Sequence, residues 1–303
     1  MLLQDGKERV SVAIIAKNEE ELVDQCLQSV QELDEIIFVD TGSTDKTVEI
    51  AKVFNVKPFY HVWNDNFSEA RNFARSKCTG DWILSIDADE ILLDAEDVVR
   101  SAVLANGDKK SLDVKILGST GDYFYFPRLT RNIPEVYWKG AVHNYMTPRR
   151  GEANSGLTLL GVRSPAHEGD SNRTVRILEK ELERDPSLIR ERYYLAREYV
   201  YNLRWDEALE LLEVHTKNCT FVPERAEAYL MMAKIHNLKK ETYAARLFAT
   251  RAVMENKNFK EALEFLAFLA KPCDRNFWLR AAQNANNEDV LFVRSRSWLS
   301  LID

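Results

Sequence analysis

The first half of the chain alternates short apolar runs with stretches whose apolar residues recur at helical spacing. Residues 10–16 and 35–40 are rich in β-branched side chains and have the length expected of fully buried strands. A weaker run covers residues 56–62, and a fourth covers residues 81–87. Helical spacing follows each of the first three runs. This order predicts a parallel sheet whose strands are joined by right-handed helical crossovers.

The rest of the chain changes its pattern twice. From residue 115 to residue 162, aromatic residues, glycines and prolines mix with short strand patterns. This mixture predicts an antiparallel appendage with loops over the sheet edge. From Arg173 onward only helical periodicity remains. We therefore predict an α/β domain over residues 1–170 and an all-α domain over residues 171–303.

Two segments of the helical half align with each other. Ala196 and Ala233 occupy equivalent positions 37 residues apart, and Asn202 and Asn237 are 35 residues apart. Periods in this range, with small residues where helices cross, are typical of tetratricopeptide-like helix pairs. An unspecialised helical bundle is the alternative.

Composition narrows the class of protein. With 45% hydrophobic and 29% charged residues, the chain has ordinary globular composition, and its net charge of -7 argues against general nucleic-acid binding. The longest apolar run is far too short to span a bilayer, and the N-terminus has no apolar signal region, so we expect a soluble cytoplasmic protein. The 4 cysteines form no C-x-x-C pair, which favours reduced thiols over a disulfide frame or a zinc site.

Two of the predicted strands end in carboxylates that precede a turn. Asp40 ends the second strand, and Asp87 and Asp89 end the fourth. Ligands of open α/β sheets bind beyond the carboxyl ends of the strands. Asp40 could accept hydrogen bonds from a nucleobase or a ribose, and the D-x-D pair could bind Mg²⁺ or Mn²⁺ together with substrate phosphates. The alternative is that Asp40 caps its turn and Asp45 caps the next helix.

Four motifs in this order resemble family 2 glycosyltransferases: residues 14–20, 39–45, 66–72 and 87–90. The resemblance extends over roughly residues 9–175. It is greatest to a subgroup with helical tails, which includes lipopolysaccharide-core glucosyltransferases and bacteriocin peptide S-glycosyltransferases. It implies a GT-A fold, which is a Rossmann-like, mostly parallel sheet, and a nucleotide-sugar donor.

The resemblance also implies the positions that bind the donor, a UDP-sugar: Ala16, Glu19, Asp40, Arg71, Asp87, Trp138, His167 and Arg173. Asp40 would contact the uracil or ribose. Arg71 would lie beside the diphosphate; the alternative is a surface arginine paired with Glu69 or Asp65. Trp138 would stack on the sugar or simply pack beneath a loop.

A divalent cation, Mn²⁺ or Mg²⁺, is implied at Asp87, Asp89 and His143. Asp89 would be the main ligand and would act in catalysis through the metal. A neutral imidazole can complete a site whose other ligands are carboxylates, which makes His143 the candidate third ligand. The alternative for His143 is a histidine hydrogen-bonded inside the loop layer.

One position departs from the family pattern. His143 is followed by Asn144 where relatives usually carry glutamate, and a neutral amide cannot act as a general base. The carboxylates that remain as candidates for this role are Glu90, Glu135, Glu168 and Asp170. His167 and Arg173 could close over the diphosphate. The alternative is an interdomain linker in which Asp170 or Ser171 caps the next helix.

The resemblance implies metal-dependent, inverting transfer of a sugar by one displacement at the anomeric carbon. A nucleotide-sugar-binding scaffold acting through its repeats is the alternative, which Asn144 favours and the retained Asp40, Asp87 and Asp89 oppose. A nucleotidyltransferase would need a glycine-rich basic loop after the first strand, but residues 17–20 are Lys-Asn-Glu-Glu. The repeats indicate a groove for a peptide, protein or glycan acceptor, and they could also form a homodimer.

Overall fold

The computed structural model describes residues 8–119, 121–162, 164, 170 and 172–286. The chain divides into two compact units, Met1–Ser171 and Asn172–Asp303, which we call the sheet unit and the helical unit. All strands of the described residues lie in the first unit, and the second contains helices only. The predicted order of an α/β domain followed by an all-α region is confirmed. Within the described ranges, no helix combines the length and the apolar character needed to cross a membrane.

The strands of the described sheet unit are β1 (Val10–Ala16), β2 (Glu35–Asp40), β3 (Pro58–Tyr60), β4 (Trp82–Asp87), β5 (Glu90–Leu92), β6 (Ser111–Gly118), β7 (Tyr123–Arg131), β8 (Trp138–Lys139), β9 (Tyr145–Met146) and β10 (Ala153–Gly161). Eight of them form one sheet in the order β3-β2-β1-β4-β7-β6-β10-β5. β1 pairs in parallel with β2 and β4, and β2 pairs in parallel with β3. β7 runs antiparallel to β4 and β6. β8 and β9 form a separate pair.

The strands after residue 110 differ from the predicted appendage, because they continue the main sheet. Leu129 of β7 is in register with Leu84 of β4, and Leu112 of β6 is in register with Leu129. All three side chains belong to the apolar cluster that also contains Val12 of β1. Only the first residues of β7, 123–125, are exposed. The aromatic pattern therefore marked one end of a central strand and not a separate layer.

Four helices cover the two faces of the sheet: α1 (Val23–Val30), α2 (Thr47–Val53), α3 (Phe67–Arg75) and α4 (Glu96–Ala105). The buried residues of α1, α2 and α4 share one apolar cluster with Val12 and Ile14 of β1. On the other face, Ala70 of α3 packs in a cluster with Ala13 and Ile15. Successive residues of β1 point to opposite faces and both faces are covered, which explains why β1 is buried throughout and apolar at every position but Ser11.

The helical unit contains seven helices among its described residues: α5 (Arg173–Arg184), α6 (Ile189–Tyr201), α7 (Trp205–Asn218), α8 (Val222–Leu238), α9 (Thr242–Glu255), α10 (Lys260–Leu269) and α11 (Pro272–Asn284). The turns after α6 and α8 have the same conformation, with φ of 59° at Leu203 and 62° at Lys240. In both turns the next residue donates its backbone N–H to the carbonyl five positions earlier, over 2.8 Å. These turns lie 37 residues apart, which is also the spacing of Ala196 and Ala233.

Small residues lie where α8 meets α9. Ala226 and Ala233 of α8 share a buried cluster with Ala245, Ala249 and Ala252 of α9, and none of the five is more than 1% exposed. The distance between two packed helices depends on the size of the side chains at their contact, so alanine lets the two backbones approach closely. Ala233, which the sequence alignment pairs with Ala196, is therefore one of the small residues through which this hairpin packs.

Candidate active site

The carboxyl ends of β2, β1 and β4 lie side by side. Ala16 is in register with Asp40, and Ile15 is in register with Asp87. Because neighbouring strands are about 4.8 Å apart, roughly 10 Å separates the backbones of Asp40 and Asp87. The chain passes from β1 to β2 on one side and returns from β3 to β4 on the other, so the strand order reverses between β1 and β4. Ligands of open α/β sheets bind in the crevice at such a switch point.

Hydrogen bonds join the loop after β1 to the loop after β2. The backbone N–H of Asn18 donates to Ser43 Oγ at 3.0 Å, and Asn18 Oδ1 accepts the N–H of Thr44 at 2.8 Å. The N–H of Glu19 donates to Thr47 Oγ1 at 2.7 Å. Asn18 adopts φ of 57°, a left-handed conformation that asparagine tolerates better than most residues. The two loops thus form one cross-linked rim beyond the strand ends.

Asp40 caps the turn that follows β2. It is 4% exposed and accepts the backbone N–H groups of Gly42 at 3.0 Å and Ser43 at 3.2 Å. Gly42 has φ of 105°, which side-chain-bearing residues rarely adopt. Asp45 in turn accepts the N–H of Thr47, the first residue of α2, at 3.0 Å. The capping roles considered from sequence are therefore observed, and a nucleotide contact of Asp40 stays a prediction.

Asp87 lies between two arginines. Arg71 Nη2 contacts Asp87 Oδ1 at 2.6 Å, and Arg128 Nη2 contacts Asp87 Oδ2 at 3.1 Å. Arg128 also contacts Glu90 Oε1 at 3.0 Å, while Glu90 Oε2 accepts the backbone N–H of Asp87 at 2.8 Å. The side chains of Asp87, Arg128 and Glu90 are 25%, 10% and 7% exposed. Four charged groups thus form one largely buried network at the end of β4.

The pKa values of Asp87 and Glu90 shift in opposite directions in this network. Burial raises the pKa of Asp87, but Arg71 and Arg128 outweigh it and hold the pKa well below its usual range. Burial also raises the pKa of Glu90, and the neighbouring Asp87 adds to this, so the pKa of Glu90 lies above its ordinary value despite Arg128. Asp87 is therefore ionised at neutral pH, whereas the Glu90 carboxyl protonates far more readily.

Trp138 packs between the arginines of this network. Its ring lies 4.9 Å from the guanidinium carbon of Arg71 and 5.7 Å from that of Arg128. Asn72 of α3 holds the Trp138 backbone through two hydrogen bonds, donating to its carbonyl at 2.9 Å and accepting its N–H at 2.8 Å. Because Trp138 is only 3% exposed, the geometry favours packing over the alternative of stacking on a sugar.

Asp89 follows Asp87 by two residues, and its role as the main metal ligand stays a prediction. It is half-buried in the turn between β4 and β5. Asp87, Asp89 and His143 do not form a group with ligand atoms within 4.8 Å among the described residues, and both Asp87 oxygens contact arginine. The residues therefore do not form an all-protein cage. They fit the mode typical of Mg²⁺, in which one or two carboxylates bind the ion together with substrate phosphates.

His143 lies in the loop between β8 and β9, half-buried and with φ of 44°. The neighbouring Asn144 has a buried amide nitrogen that makes no hydrogen bond to any described residue. The loop is anchored to α3, because Phe67 donates its N–H to the Ala141 carbonyl at 2.9 Å and Ser68 Oγ donates to the Gly140 carbonyl at 2.6 Å. The role of His143 as a third ligand stays a prediction.

The candidates for a general base differ in exposure. Glu90 is buried and both its oxygens are engaged, so it is placed to position Asp87 and not to reach an acceptor. Glu135 and Asp170 are exposed. His167 and Glu168 lie outside the described residues, and Arg173 begins α5 of the helical unit. No candidate is selected by this geometry.

Sequence reasoning missed three residues of this site. Arg128 is a charge flanked by Pro127 and Leu129, and that contrast was a signal. Asn72, in a quoted motif, had no role assigned. Ser164 donates its hydroxyl to Glu19 Oε2 at 2.6 Å, and the N–H of Val162 donates to the Asp89 carbonyl at 2.9 Å. The chain after β10 therefore passes along the same rim, 145 residues away in sequence from Glu19.

Comparison with known proteins bears on the sheet unit. Residues 11–153 match the family described as Glycosyl transferase family 2. A TPR repeat-containing protein of Synechococcus elongatus is 37% identical over 150 residues, which are 47% of this chain and 36% of that protein. An uncharacterized glycosyltransferase of Rickettsia typhi is 44% identical over 85 residues, 28% of this chain and 29% of that protein. The chain thus matches only about a third of the length of these curated relatives.

Among solved structures, S. aureus TarS 1-349 in complex with UDP-GlcNAc is similar over 94% of this chain and 93% of that one. The sequence identity is 13% and the TM-score is 0.44. A likeness of this degree does not bear on function.

The family match runs from the second residue of β1 to the first residue of β10. It contains both acidic strand ends, the arginines that hold Asp87, and the segment from β8 to β9 that carries Trp138 and His143. The surrounding sheet is the Rossmann-like sheet that the motifs predicted. Residues 11–153 are therefore similar to Glycosyl transferase family 2 over the part of the sheet that carries the candidate site.

Proposed function

We propose that the chain is a metal-dependent, inverting glycosyltransferase that uses a UDP-sugar donor and a peptide, protein or glycan acceptor. The observation that carries this proposal is the placement of Asp40 and Asp87 on either side of β1, where they pair with its adjacent residues Ala16 and Ile15. Asp89 follows Asp87 by two residues. This edge is the switch point of the sheet, where a nucleotide has room to bind. Inversion of the anomeric centre rests on the family resemblance.

The basic residues of the site suit an anionic donor. Arg71 and Arg128 bring two positive charges to the end of β4, where Asp87 contacts both and Glu90 contacts Arg128. A guanidinium is the group best suited to contacts with phosphate oxygens. In this proposal Arg71 contacts the donor diphosphate while Asp87 stays ionised and turns towards the ribose or the donor sugar.

Mn²⁺ or Mg²⁺ would be held chiefly by Asp89, with Asp87 and His143 as further candidates. The chemistry that such an ion supplies is stabilisation of the charge developing on the leaving diphosphate. Glu90 acts as a positioning residue, because it fixes the backbone of Asp87 and the guanidinium of Arg128. The base that deprotonates the acceptor is sought among Glu135, Glu168 and Asp170.

The helical unit is proposed to select the acceptor or to form a homodimer. Its hairpins repeat with a constant turn, as arrays that offer an extended groove do. The competing function is a nucleotide-sugar-binding scaffold. It is favoured by Asn144, which stands where relatives usually carry a glutamate that could act as general base. It predicts donor binding without hydrolysis or transfer.

The test compares the wild-type chain with Asp89→Asn and a matched control, Asp108→Asn. Asp108 is an exposed carboxylate of the same unit, 74% exposed and paired only with Lys109. Calorimetry should give UDP binding that Mn²⁺ strengthens in the wild type and in Asp108→Asn, but not in Asp89→Asn. Mass spectrometry with a panel of UDP-sugars should show donor hydrolysis lost in Asp89→Asn alone. Equal UDP affinity with and without Mn²⁺ would remove the metal from the proposal, and binding without any turnover would favour the scaffold.

A further inference from the structure

A second cluster of metal-ligating side chains lies within the helical unit. His215 and Cys219 are four residues apart at the end of α7 and therefore share one face of that helix, while Glu224 is in the first turn of α8. One ring nitrogen of His215, the Cys219 sulfur and one Glu224 oxygen lie within 4.8 Å of one another. In the part of the chain that the structure describes, this is the only such group. All three residues are buried.

One ring nitrogen of His215 makes a hydrogen bond, and the other makes none to any described residue. Nδ1 lies 2.8 Å from the carbonyl oxygen of Ile189, which can only accept, so Nδ1 carries the proton. Nε2 of the neutral ring then has the lone pair; it is buried, in a residue 0% exposed, and bonds to no described residue. Metal-bound histidines typically have this arrangement, with the second ring N–H donated to a carbonyl or carboxylate.

The other two groups are close enough to share an ion. Cys219 Sγ lies 3.9 Å from Glu224 Oε2. Zinc bonds of about 2.0–2.3 Å place tetrahedral ligand atoms roughly 3.3–3.8 Å apart, so small side-chain movements suffice. Of the two arginines nearby, Arg190 contacts the other oxygen of Glu224, Oε1, at 3.8 Å, and Arg225 contacts Glu255 at 2.6 Å.

We propose that His215, Cys219 and Glu224 form a structural Zn²⁺ site that fixes the end of α7 to the start of α8. A nitrogen, a sulfur and an oxygen ligand together match Zn²⁺, whereas Mg²⁺ and Mn²⁺ prefer oxygen alone. The Cys219 thiol releases its proton to solvent as the sulfur–zinc bond forms. A water or the Phe221 carbonyl, 3.5 Å from the sulfur, supplies the fourth ligand. The site uses one cysteine with two other residue types, which is why cysteine spacing did not indicate it.

The test uses the full chain, stripped of metal by chelator and held in excess Mg²⁺ to occupy oxygen-only sites. Titration with Co²⁺ should give one equivalent with a thiolate-to-cobalt charge-transfer band and the intense visible absorption of tetrahedral Co²⁺. Added Zn²⁺ should remove both. Cys219→Ser should abolish the charge-transfer band, and Cys273→Ser, which changes an exposed cysteine outside the cluster, should retain it.

A charge-transfer band that persists in folded Cys219→Ser, or that is missing in the wild type, overturns the proposal. If Cys219→Ser fails to fold, Glu224→Gln decides. Loss of a residue that only hydrogen-bonds to a metal ligand typically weakens metal binding roughly 10–100-fold. Loss of Glu224, a direct ligand, should weaken Zn²⁺ binding at least as much. Unchanged affinity there contradicts the site. X-ray absorption of the zinc-loaded wild type should give one sulfur neighbour, and a shell of nitrogen and oxygen alone refutes it.

Discussion

Arg128→Met should destabilise the sheet unit by about 3 kcal/mol, because it leaves Glu90 buried without its cation. Removing one partner of a buried ion pair costs about 3–5 kcal/mol. The lower end applies here, since Asp87 keeps Arg71 and the Glu90 carboxyl can take up a proton. The change corresponds to roughly a hundredfold shift in the opening equilibrium. Hydrogen exchange of peptides covering β4 and β7 measures that equilibrium in the sheet unit alone.

Arg100→Met is the matched control. Arg100 contacts Asp34 at 3.1 Å, also in the sheet unit, but the Asp34 side chain is more exposed than that of Glu90. We expect a loss of at most about 1 kcal/mol, as for surface pairs. The double variant Arg128→Met/Glu90→Gln should recover part of the loss, because no buried charge is left without a partner. Equal protection of the β4 and β7 amides in Arg128→Met and Arg100→Met would refute the buried network.

Two further predictions concern acid stability and the division of labour between the units. Burial raises the pKa of Glu35, but hydrogen bonds from Ser11 and Thr79 outweigh burial and lower the pKa below its ordinary value. As the pH falls, Glu35 therefore takes up a proton in the unfolded chain before it does so in the folded one. The stabilisation is present above about pH 4.3 and is lost below it, so acid unfolding should be steeper for the wild type than for Glu35→Gln; equal slopes would contradict this. A chain ending after residue 176 should still bind UDP with Mn²⁺ in calorimetry but lose transfer to its acceptor. A folded, monodisperse truncation that cannot bind UDP would place part of the donor site in the removed residues.

The parallel part of the sheet was predictable because its signals are local. A buried parallel strand needs apolar residues on both faces, so β1, β2 and β4 could be identified from runs of apolar residues alone. Parallel pairing then brings strand ends to one edge, which places Asp40 and Asp87 together without any knowledge of side-chain contacts. The helical half was predictable for the same reason, since the 37-residue spacing repeats a local hairpin.

Partners of long charged side chains were not predictable, because they depend on which distant strands become neighbours. Arg71 had Glu69 and Asp65 close in sequence, yet it contacts Asp87, which β4 brings under α3. Arg128 meets the same carboxylate only because β7 inserts beside β4, a pairing that no local pattern encodes. Periodicity is a property of adjacent residues, and so the sequence determined the elements and the edge where they end. The tertiary structure alone decided which charges share that edge, because their energy depends on burial and on distances between elements far apart in the chain.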